Sequence, residues 1–424
     1  MPDAVTYWND VLLDVIRAEG GPPGPISRGG AMMHGAIYDA VNSIVPTHEP
    51  YLVSVPAAHG ASIEAAVAYA AHDALAAAFP STTVDLADAL AAALAGVVPQ
   101  SSVSAGKAVG RTCAAAMIDH RRDDGADDQT HYVPGSKPGD WRPTRPGAGA
   151  ATPHWPKVKP FCMSSGTQFR PPRPGGFLSK TEMLASAEYA AQFNEVKELG
   201  EAASTTRTAE QTQIAKFWAN DLDGTYKPPG QLFAITQIVA DARALDVVEN
   251  ARLFALVALA LGDAGICAWD AKYATDLDLW RPETAIRMAD QDGNAGTAAD
   301  AAWEPLSQDG ADHFSPPFPA YVSGHATFAA AHAAIMRLYF GTDNVTFTAT
   351  SEDPNLPAGV TRTFNSFTEA ARENSRSRVY LGVHFQWDGD HGYHAGTALG
   401  EHIFATRLRP RAADYAGATP KLAA

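Results

Sequence analysis

Apolar side chains recur every three or four residues through most of the chain, which is the spacing of one face of an α-helix. Two capping boxes, Ser179-x-x-Glu182 and Thr208-x-x-Gln211, predict two further helix starts. The only strand candidate is residues 345–350. The helices predicted from apolar spacing cover residues 9–18, 28–44, 63–79, 84–98, 103–121, 231–245, 247–273, 324–340, 367–374 and 384–408. This pattern predicts an all-α protein made of helical bundles.

The helical pattern stops between residues 134 and 176, where proline and glycine dominate. An irregular segment of this length is either a linker or a functional loop. Its large aromatic residues, among them Trp141 and Trp155, favour a loop that wraps over the protein surface.

The chain is acidic, with a formal net charge of −15 and a pI near 5.3, which argues against a nucleic acid or an anionic membrane as partner. Its three cysteines form no C-x-x-C pair, so we expect neither structural zinc nor a disulfide framework. The first residues have neither a basic start nor an apolar segment, and the apolar run at 254–261 is too short to span a bilayer. We therefore expect a soluble, cytoplasmic protein.

Three short motifs bring positive and hydrogen-bonding side chains into one third of the chain. The first motif has a lysine and an arginine, the second has a hydroxyl, a glycine and an imidazole, and the third has an arginine, an imidazole and a carboxylate. The motifs are Lys272…Arg281-Pro282, Ser323-Gly324-His325 and Ser377-Arg378…His384…Asp388. Three cationic side chains suit a tetrahedral oxyanion such as phosphate or vanadate, and no metal-cation site needs them.

The second motif follows a proline-rich stretch that cannot be helical and precedes an apolar helical run, so Ser323 is a predicted N-cap. Free backbone N–H groups at this helix start would face an anion, and Gly324 would let the backbone approach it closely. The alternative is an ordinary serine cap with a solvent-facing His325.

The third motif places Asp388 four residues after His384, so the carboxylate could accept the second N–H of the imidazole. Gly382 offers a chain break that would let Arg378 and His384 converge. A solvated His–Asp pair on a helix surface is the alternative. For Lys272 and Arg281, the alternative is a structural ion-pair network with Asp276 and Asp278.

A divalent-metal site is a competing interpretation of the third motif. His384, Asp388 and His391 are spaced at i, i+4 and i+7, with Asp390 and His394 nearby. This interpretation would leave the three cationic side chains without a role.

With these motifs, the chain resembles the vanadium-dependent haloperoxidases, which share an acid-phosphatase core with the type 2 phosphatidic acid phosphatases. The resemblance covers most of the chain and is strongest in Trp269-Asp270-Ala271-Lys272, Trp280-Arg281-Pro282, Pro316-Pro317-Phe318-Pro319-Ala320-Tyr321, Ser323-Gly324-His325-Ala326-Thr327-Phe328 and Ser377-Arg378…Gly382…His384…Asp388. It implies two packed helical bundles joined by long irregular loops, with the anion site in the second. The predicted division is an N-terminal bundle part at 1–133, a wrapping loop at 134–178, the bundle with the anion site at 179–410 and a C-terminal tail at 411–424.

The same resemblance implies a role for each motif residue. Vanadate oxygens would be held by Lys272, Arg281, Ser323, Gly324 and Arg378. His384 would be the axial vanadium ligand, supported by Asp388, and His325 would be the acid–base group. Trp269 and Phe318 fall where chloride-oxidising members keep halide-pocket aromatic residues. Two departures from the family pattern are Val322, where proline is usual, and eight residues between Lys272 and Arg281, where six or seven are usual.

Two chemistries follow from one such site. In the peroxidase interpretation, vanadate is the cofactor, hydrogen peroxide oxidises a halide with help from Lys272 and His325, and the hypohalous product halogenates a small organic acceptor. In the phosphatase interpretation, His384 would attack phosphorus and His325 would protonate the leaving oxygen. The resemblance favours the peroxidase, in which phosphate would compete for the site. A non-catalytic oxyanion-binding protein is a third alternative, and the sequence indicates no oligomeric state.

Overall fold

The computed structural model describes residues 3–145 and 147–411, so the predicted tail at 411–424 lies outside the described residues except for its first position. Within these ranges the chain forms fourteen α-helices and four short strands. The helices are α1 Ala4–Glu19, α2 Pro23–Ile44, α3 Ile63–Ala78, α4 Leu86–Leu94, α5 Gln100–Arg121, α6 Lys180–Leu184, α7 Ala187–Gly200, α8 Ala209–Phe217, α9 Lys227–Ala242, α10 Val247–Tyr273, α11 Pro282–Arg287, α12 Gly324–Phe340, α13 Phe367–Tyr380 and α14 Gln386–Thr406. The strands are β1 Gln308–Asp309, β2 Asp312–His313, β3 Phe347–Thr350 and β4 Thr361–Phe364. The prediction of an all-α fold is confirmed.

Helix α10 forms the centre of the molecule and packs against α2 on one side and against α12 and α14 on the other. Among the described residues, α10 is the one helix that is long and apolar enough to cross a membrane. The apolar run at 254–261 was judged too short for this, because it is only part of the helix. However, 94% of its most apolar 18-residue window is buried inside the protein. A helix that is apolar on all sides is typical of a protein core, and this core position fixes the end of α10 that carries Lys272.

Two groups of helices flank α10. Helices α2, α3 and α5 pack together in the N-terminal part, and α12, α13 and α14 pack together in the C-terminal part. Three glycines at four-residue intervals on α14 face the backbone of α12, where added Cβ atoms would lie 2.2–2.8 Å from carbonyl oxygens. The close approach of α14 to α12 brings the second and third motifs together. The glycines are Gly392, Gly396 and Gly400.

Several element boundaries differ from the prediction. Helix α1 begins at Ala4, because the Asp3 carboxylate accepts hydrogen bonds from the N–H groups of Val5 and Thr6 at 2.8 and 2.9 Å. Helix α13 continues to Tyr380 rather than ending at residue 374, and α14 begins at Gln386, so His384 precedes the helix that was predicted to include it. The predicted strand at 345–350 exists as β3, and its antiparallel partner β4 was not predicted.

The proline-rich segment runs over the protein and is fixed to it by hydrogen bonds. The backbone N–H of Trp141 donates to Asp278 O at 2.8 Å, and that of Ala151 donates to Pro317 O at 2.8 Å. Further along, the Arg170 guanidinium binds the Asp270 carboxylate at 2.5 and 2.9 Å. The segment thus lies next to the end of α10. The predicted domain boundaries themselves stay predictions.

Candidate anion-binding site

Lys272 lies in the last turn of α10 and is completely buried. Its ammonium donates hydrogen bonds to the carbonyl oxygens of Pro319 and Ala320 at 2.7 and 3.1 Å, which leaves one of its three N–H groups for another acceptor. Burial and the nearby Arg281 guanidinium lower the pKa of Lys272 well below its usual value. The longer spacing to Arg281 therefore does not turn Lys272 outward to Asp276, which pairs with Arg173 instead.

Arg281 is also fully buried, at the N-cap position of the short helix α11. Its Nε donates to Phe318 O at 2.7 Å, and its Nη1 donates to Val383 O at 2.8 Å and lies 3.0 Å from Nε2 of His384. Its Nη2 is buried and has no hydrogen-bond partner among the described residues. Burial lowers the pKa of Arg281 to about 9, against the opposing effect of Asp388. Arg281 thus keeps one nitrogen available to a ligand.

Arg378, near the end of α13, is the third buried cation. Its Nη2 donates to Asp221 Oδ2 at 2.8 Å, whereas its Nε and Nη1 have no partner within the described part of the chain. Asp221 was not predicted from the sequence. It lies in the loop between α8 and α9, 157 residues before Arg378, so no local spacing could reveal it. Although burial raises the pKa of Asp221, Arg378 and His325 lower it overall.

A turn centred on Gly382 brings Arg378 and His384 to the same side. Gly382 has a φ of +80°, and an added Cβ would lie 2.4 Å from the carbonyl oxygen of Gly200. A hydrogen bond of 3.1 Å from Val383 N to Arg378 O closes the turn. The predicted break at Gly382 is therefore present, and no residue with a side chain fits it.

His384 is buried and held by the first turn of α14. Its Nδ1 lies 3.0 Å from Asp388 Oδ2, which also accepts the N–H of Phe385 at 3.1 Å. Burial raises the pKa of Asp388 to about 7, and its ionised form fixes the proton on Nδ1, which leaves the lone pair on Nε2. Burial, and then Arg281 and Lys272, lower the pKa of His384 well below its usual value. This pair is a buried one, which excludes the solvated-surface alternative.

The second motif begins α12. Ser323 is its N-cap and accepts the N–H of Ala326 at 3.3 Å, as predicted, and the Ser323 N–H donates to Asp388 O at 2.9 Å. His325 is buried rather than solvent-facing, with Nε2 at 3.1 Å from Ala219 O and 3.9 Å from Asp221 Oδ1. Burial and then Arg378 lower the pKa of His325 to about 4.

The charges in this site favour an anion. Three buried cations face two carboxylates, of which Asp221 binds Arg378 and Asp388 binds His384. Buried cations need partners, and the unpartnered nitrogens of both arginines supply directed donors for oxyanion oxygens. The described residues contain no cluster of three His, Cys, Asp or Glu side chains that could hold a metal cation, and His391 Nδ1 lies 2.6 Å from Tyr321 Oη. The divalent-metal interpretation is therefore wrong for these residues.

Two neighbouring cavities lie beside the candidate site. The inner cavity, of about 20 Å³, is lined by His325, Arg378 and His384 together with Trp269 and Phe318, whose ring centroids are 4.8 Å apart. The outer cavity, of about 250 Å³, shares several lining residues with it. The shared residues are Pro23, Asp221, Pro228, Pro316 and Phe318. The outer cavity therefore adjoins the candidate site.

Comparisons with known proteins point to one family. The VCPO second helical-bundle domain matches residues 252–411, the range that contains all three motifs. A vanadium chloroperoxidase from Curvularia inaequalis is 28% identical over 484 aligned positions, which cover 91% of this chain and 78% of that protein. The crystal structure of a bacterial vanadium-dependent iodoperoxidase superposes with a TM-score of 0.77 at 25% identity, covering 96% of both chains. The chain is therefore similar to vanadium haloperoxidases in sequence over most of its length and in fold.

A second bacterial structure agrees with the vanadium haloperoxidase fold. A holo-type vanadium-dependent chloroperoxidase superposes with a TM-score of 0.71 at 19% identity, over 92% of this chain and 93% of its own. The family domain does not include Asp221, which the fold adds to the site from outside the matched range.

Proposed function

We propose that this protein holds vanadate among its three buried cations and uses it to oxidise a halide with hydrogen peroxide. Peroxide, halide and one proton yield hypohalous acid and water. The observation that carries the proposal is the set of unpartnered, buried N–H groups on Arg281 and Arg378. Each charge-assisted hydrogen bond to these groups is worth about 1.5–3 kcal/mol, so several together can retain an oxyanion tightly.

In this proposal, His384 would bind the vanadium of vanadate through Nε2, because Asp388 holds the ring by Nδ1. The oxyanion oxygens would be held by Lys272, Arg281, Arg378, the Ser323 hydroxyl and the backbone at Gly324. Bound vanadate would supply a Lewis acid that activates peroxide, with no haem, flavin or nicotinamide required.

The remaining polar side chains would handle charge and protons. Lys272 would place a positive charge where negative charge develops during oxygen transfer. His325 is neutral near pH 7, because burial and Arg378 lower its pKa to about 4. Its Nε2 faces the carbonyl oxygen of Ala219 and carries the proton, so Nδ1 is the nitrogen that can accept one. Asp221, 3.9 Å from His325 Nε2, would favour the protonated imidazole in that step.

The aromatic pair beside the site is the proposed halide position. Trp269 is fully buried, and its indole N–H donates to Ala151 O at 3.3 Å. Phe318 lies beneath two cations, with Lys272 Nζ and Arg281 Cζ at 5.0 and 4.8 Å from the ring centroid. An apolar wall next to positive charge suits a weakly hydrated anion such as bromide.

Calorimetric titration with vanadate tests the proposal. We expect about one vanadate per chain and loss of stable binding in His384→Ala, whereas His394→Ala, an exposed histidine on α14, should bind normally. With vanadate, peroxide and bromide, the wild type should brominate an activated acceptor, and phosphate should inhibit by competition. Vanadate-free hydrolysis of phosphate esters without any halogenation would instead support the phosphatase.

A further inference from the structure

We propose that Asn220 and Asp353 are positioning residues for His325 and that they act on it through the loop between α8 and α9. This inference rests on the proposed function and deepens it at the same site. Asn220 lies between the two residues of this loop that approach the His325 imidazole. The carbonyl oxygen of Ala219 is 3.1 Å from Nε2, and Oδ1 of Asp221 is 3.9 Å from it.

Asn220 has a backbone conformation that needs support from its surroundings. Its φ is +44°, in the left-handed region, and the residue is completely buried. Asparagine adopts this region more readily than most residues, yet it persists there in a protein interior only when neighbouring groups hold it. Because φ at Asn220 sets the angle between its two peptide groups, it decides how the Ala219 carbonyl and the Asp221 side chain are placed.

Hydrogen bonds join Asn220 to residues 351–353, called the supporting segment from here on, which directly follows β3. The buried Asp353 carboxylate accepts the Asn220 N–H at 3.2 Å. The side-chain oxygen of Asn220 accepts the Glu352 N–H at 3.0 Å and the Ser351 hydroxyl at 3.3 Å. Because its backbone and its side chain are both bound, Asn220 cannot leave the left-handed conformation without breaking hydrogen bonds in the protein interior.

The supporting segment is itself fixed by other parts of the chain. The Glu352 carboxylate accepts the Tyr226 N–H, at the start of α9, at 2.7 Å. It also binds the Arg17 guanidinium of α1 at 2.7–3.1 Å. The position of the loop between α8 and α9 is therefore decided by α1 and by the segment after β3, both of which lie outside the three motifs.

The loop matters because it orients His325 and fixes the proton on Nε2. Burial and Arg378 lower the pKa of His325, whereas Asp221 and the hydrogen bond to the Ala219 carbonyl raise it. If Asn220 left its conformation, the carbonyl and the carboxylate would move together, and the imidazole would lose both contacts. Misplacement of a reacting group by about 1 Å, caused by a change far from the chemistry, can lower a rate by about a hundredfold.

The first test observes the Nε2–H of His325 by NMR in the full-length protein without vanadate, prepared with isotope-labelled histidine. The signal is identified by its loss in His325→Gln. Asn220→Ala and Asp353→Asn, the second of which keeps the shape of the side chain, should each speed exchange of this proton with water by about tenfold or more. The matched controls Asn344→Ala and Asp309→Asn, at exposed positions, should leave the exchange rate unchanged.

Asn220→Gly separates the backbone from the side chain of this residue. Glycine adopts a positive φ without strain, so the loop can keep its conformation although the side-chain hydrogen bonds are lost. The exchange rate in Asn220→Gly should therefore lie between those of the wild type and Asn220→Ala. Circular dichroism checks that each variant is folded.

The second test measures turnover of the same variants with vanadate, peroxide and bromide. Bromination by Asn220→Ala and Asp353→Asn should fall by about tenfold or more, in the order of their exchange rates. A wild type without a protected His325 proton, or exchange that is unchanged in both variants, would overturn the inference even if turnover falls. If the protein takes up no vanadate and halogenates nothing, the proposed function fails, and the vanadate-free exchange experiment still decides whether Asn220 and Asp353 position His325.

Discussion

Three arginines of this protein are almost completely buried, yet they lie in two different kinds of environment. Arg121, at the end of α5, uses every nitrogen: Nε donates to Asp124 at 2.7 Å, Nη1 to Pro160 O at 3.3 Å and Nη2 to Lys159 O at 2.5 Å. Its Cζ also lies 3.9 Å from the centroid of Phe161. Arg281 and Arg378 have three nitrogens without a partner among the described residues.

Under the proposed function, this difference separates an arginine that stabilises the fold from two arginines that bind a ligand. Burying a guanidinium is costly unless its hydrogen bonds are made. At Arg121 the folded chain supplies a partner for every guanidinium nitrogen, and these hydrogen bonds fix the position of residues 159–163. At Arg281 and Arg378 some guanidinium nitrogens have no hydrogen-bond partner in the fold. A bound oxyanion could make these hydrogen bonds and would be stabilised by them. The two regions should therefore respond in opposite ways to the same substitution.

The largest effect is expected for Arg378→Ala on vanadate affinity. The substitution removes at least two directed donors, each worth about 1.5–3 kcal/mol, so affinity should fall by about a hundredfold or more. Calorimetric titration measures this loss. Arg376→Ala, on the same helix but paired with Glu195 and Gln386, is the control and should bind vanadate normally. Unchanged affinity in Arg378→Ala would remove this residue from the site.

Arg121→Ala should have the reverse profile. The substitution takes one of two arginine partners from Asp124, which keeps Arg28 Nε at 2.8 Å, and it leaves the carbonyl oxygens of Lys159 and Pro160 without their donor. The free energy of unfolding is therefore expected to fall by about 1–3 kcal/mol. Urea unfolding measures the change. At temperatures where the variant is folded, vanadate affinity should stay within about threefold of the wild type. A hundredfold loss of affinity would contradict the separation of the two regions.

Lys272→Ala tests whether the third cation belongs with the ligand-binding arginines. Because Lys272 has one N–H group beyond its two carbonyl bonds, its loss should lower turnover by about a hundredfold, as for other donors to developing charge, while circular dichroism stays unchanged. Lys180→Ala, which breaks an ion pair with Asp140 elsewhere, should keep wild-type turnover. Near-normal turnover in Lys272→Ala would mean that its two carbonyl bonds are its whole role.

The smallest effect concerns the pH dependence of stability in the Arg121 region. Asp263 accepts the N–H groups of Phe161, Cys162 and Met163 at 2.6–2.8 Å, and burial raises its pKa to about 6 despite these bonds. The folded protein thus favours the neutral Asp263 carboxyl. The contribution of this neutral carboxyl to the free energy of unfolding is present below about pH 4 and is lost as the pH rises through 6.

Between pH 4 and 7, wild-type stability should therefore fall relative to Asp263→Asn by up to about 1.4 kcal/mol per pH unit. Urea unfolding at several pH values measures the slope of the free energy of unfolding against pH. A constant difference in stability between wild type and Asp263→Asn does not affect this slope. Parallel pH profiles for both proteins would show that Asp263 does not titrate in this range.

Local spacing predicted those parts of the site that depend on neighbours in sequence. Ser323 caps α12, and Asp388 reaches His384 four residues earlier, because short helical geometry decides both contacts. The end of α13 was predicted too early because its last turns bury polar residues, including Ser377 and Arg378, which interrupt the apolar pattern. The apolar pattern of α13 is thus interrupted where the helix lines the candidate site.

Contacts between distant segments could not be predicted in this way. The pairing of Asp221 with Arg378 depends on how the loop between α8 and α9 packs, and Asp221 lies outside the motif that contains Arg378. Similarly, Asp276 and Asp278 are near Lys272 and Arg281 in sequence, yet Asp276 binds Arg173 and Asp278 lies near Tyr132. Sequence proximity suggested the wrong ion pairs because chain direction changes between these residues.

The contact between Gly382 and Gly200 also has a consequence for how the protein tolerates mutation. An added Cβ on Gly200 would lie 2.5 Å from the Cα of Gly382, just as one on Gly382 would meet the carbonyl of Gly200. In a saturation-mutagenesis screen for halogenation, substitutions of Gly200 should therefore be tolerated as poorly as substitutions of the proposed ligand-binding residues. Gly200 itself lies at the end of α7 and would contact no ligand. In a population of variants, inactive clones at this position would regain activity only through changes that move α7 away from the turn.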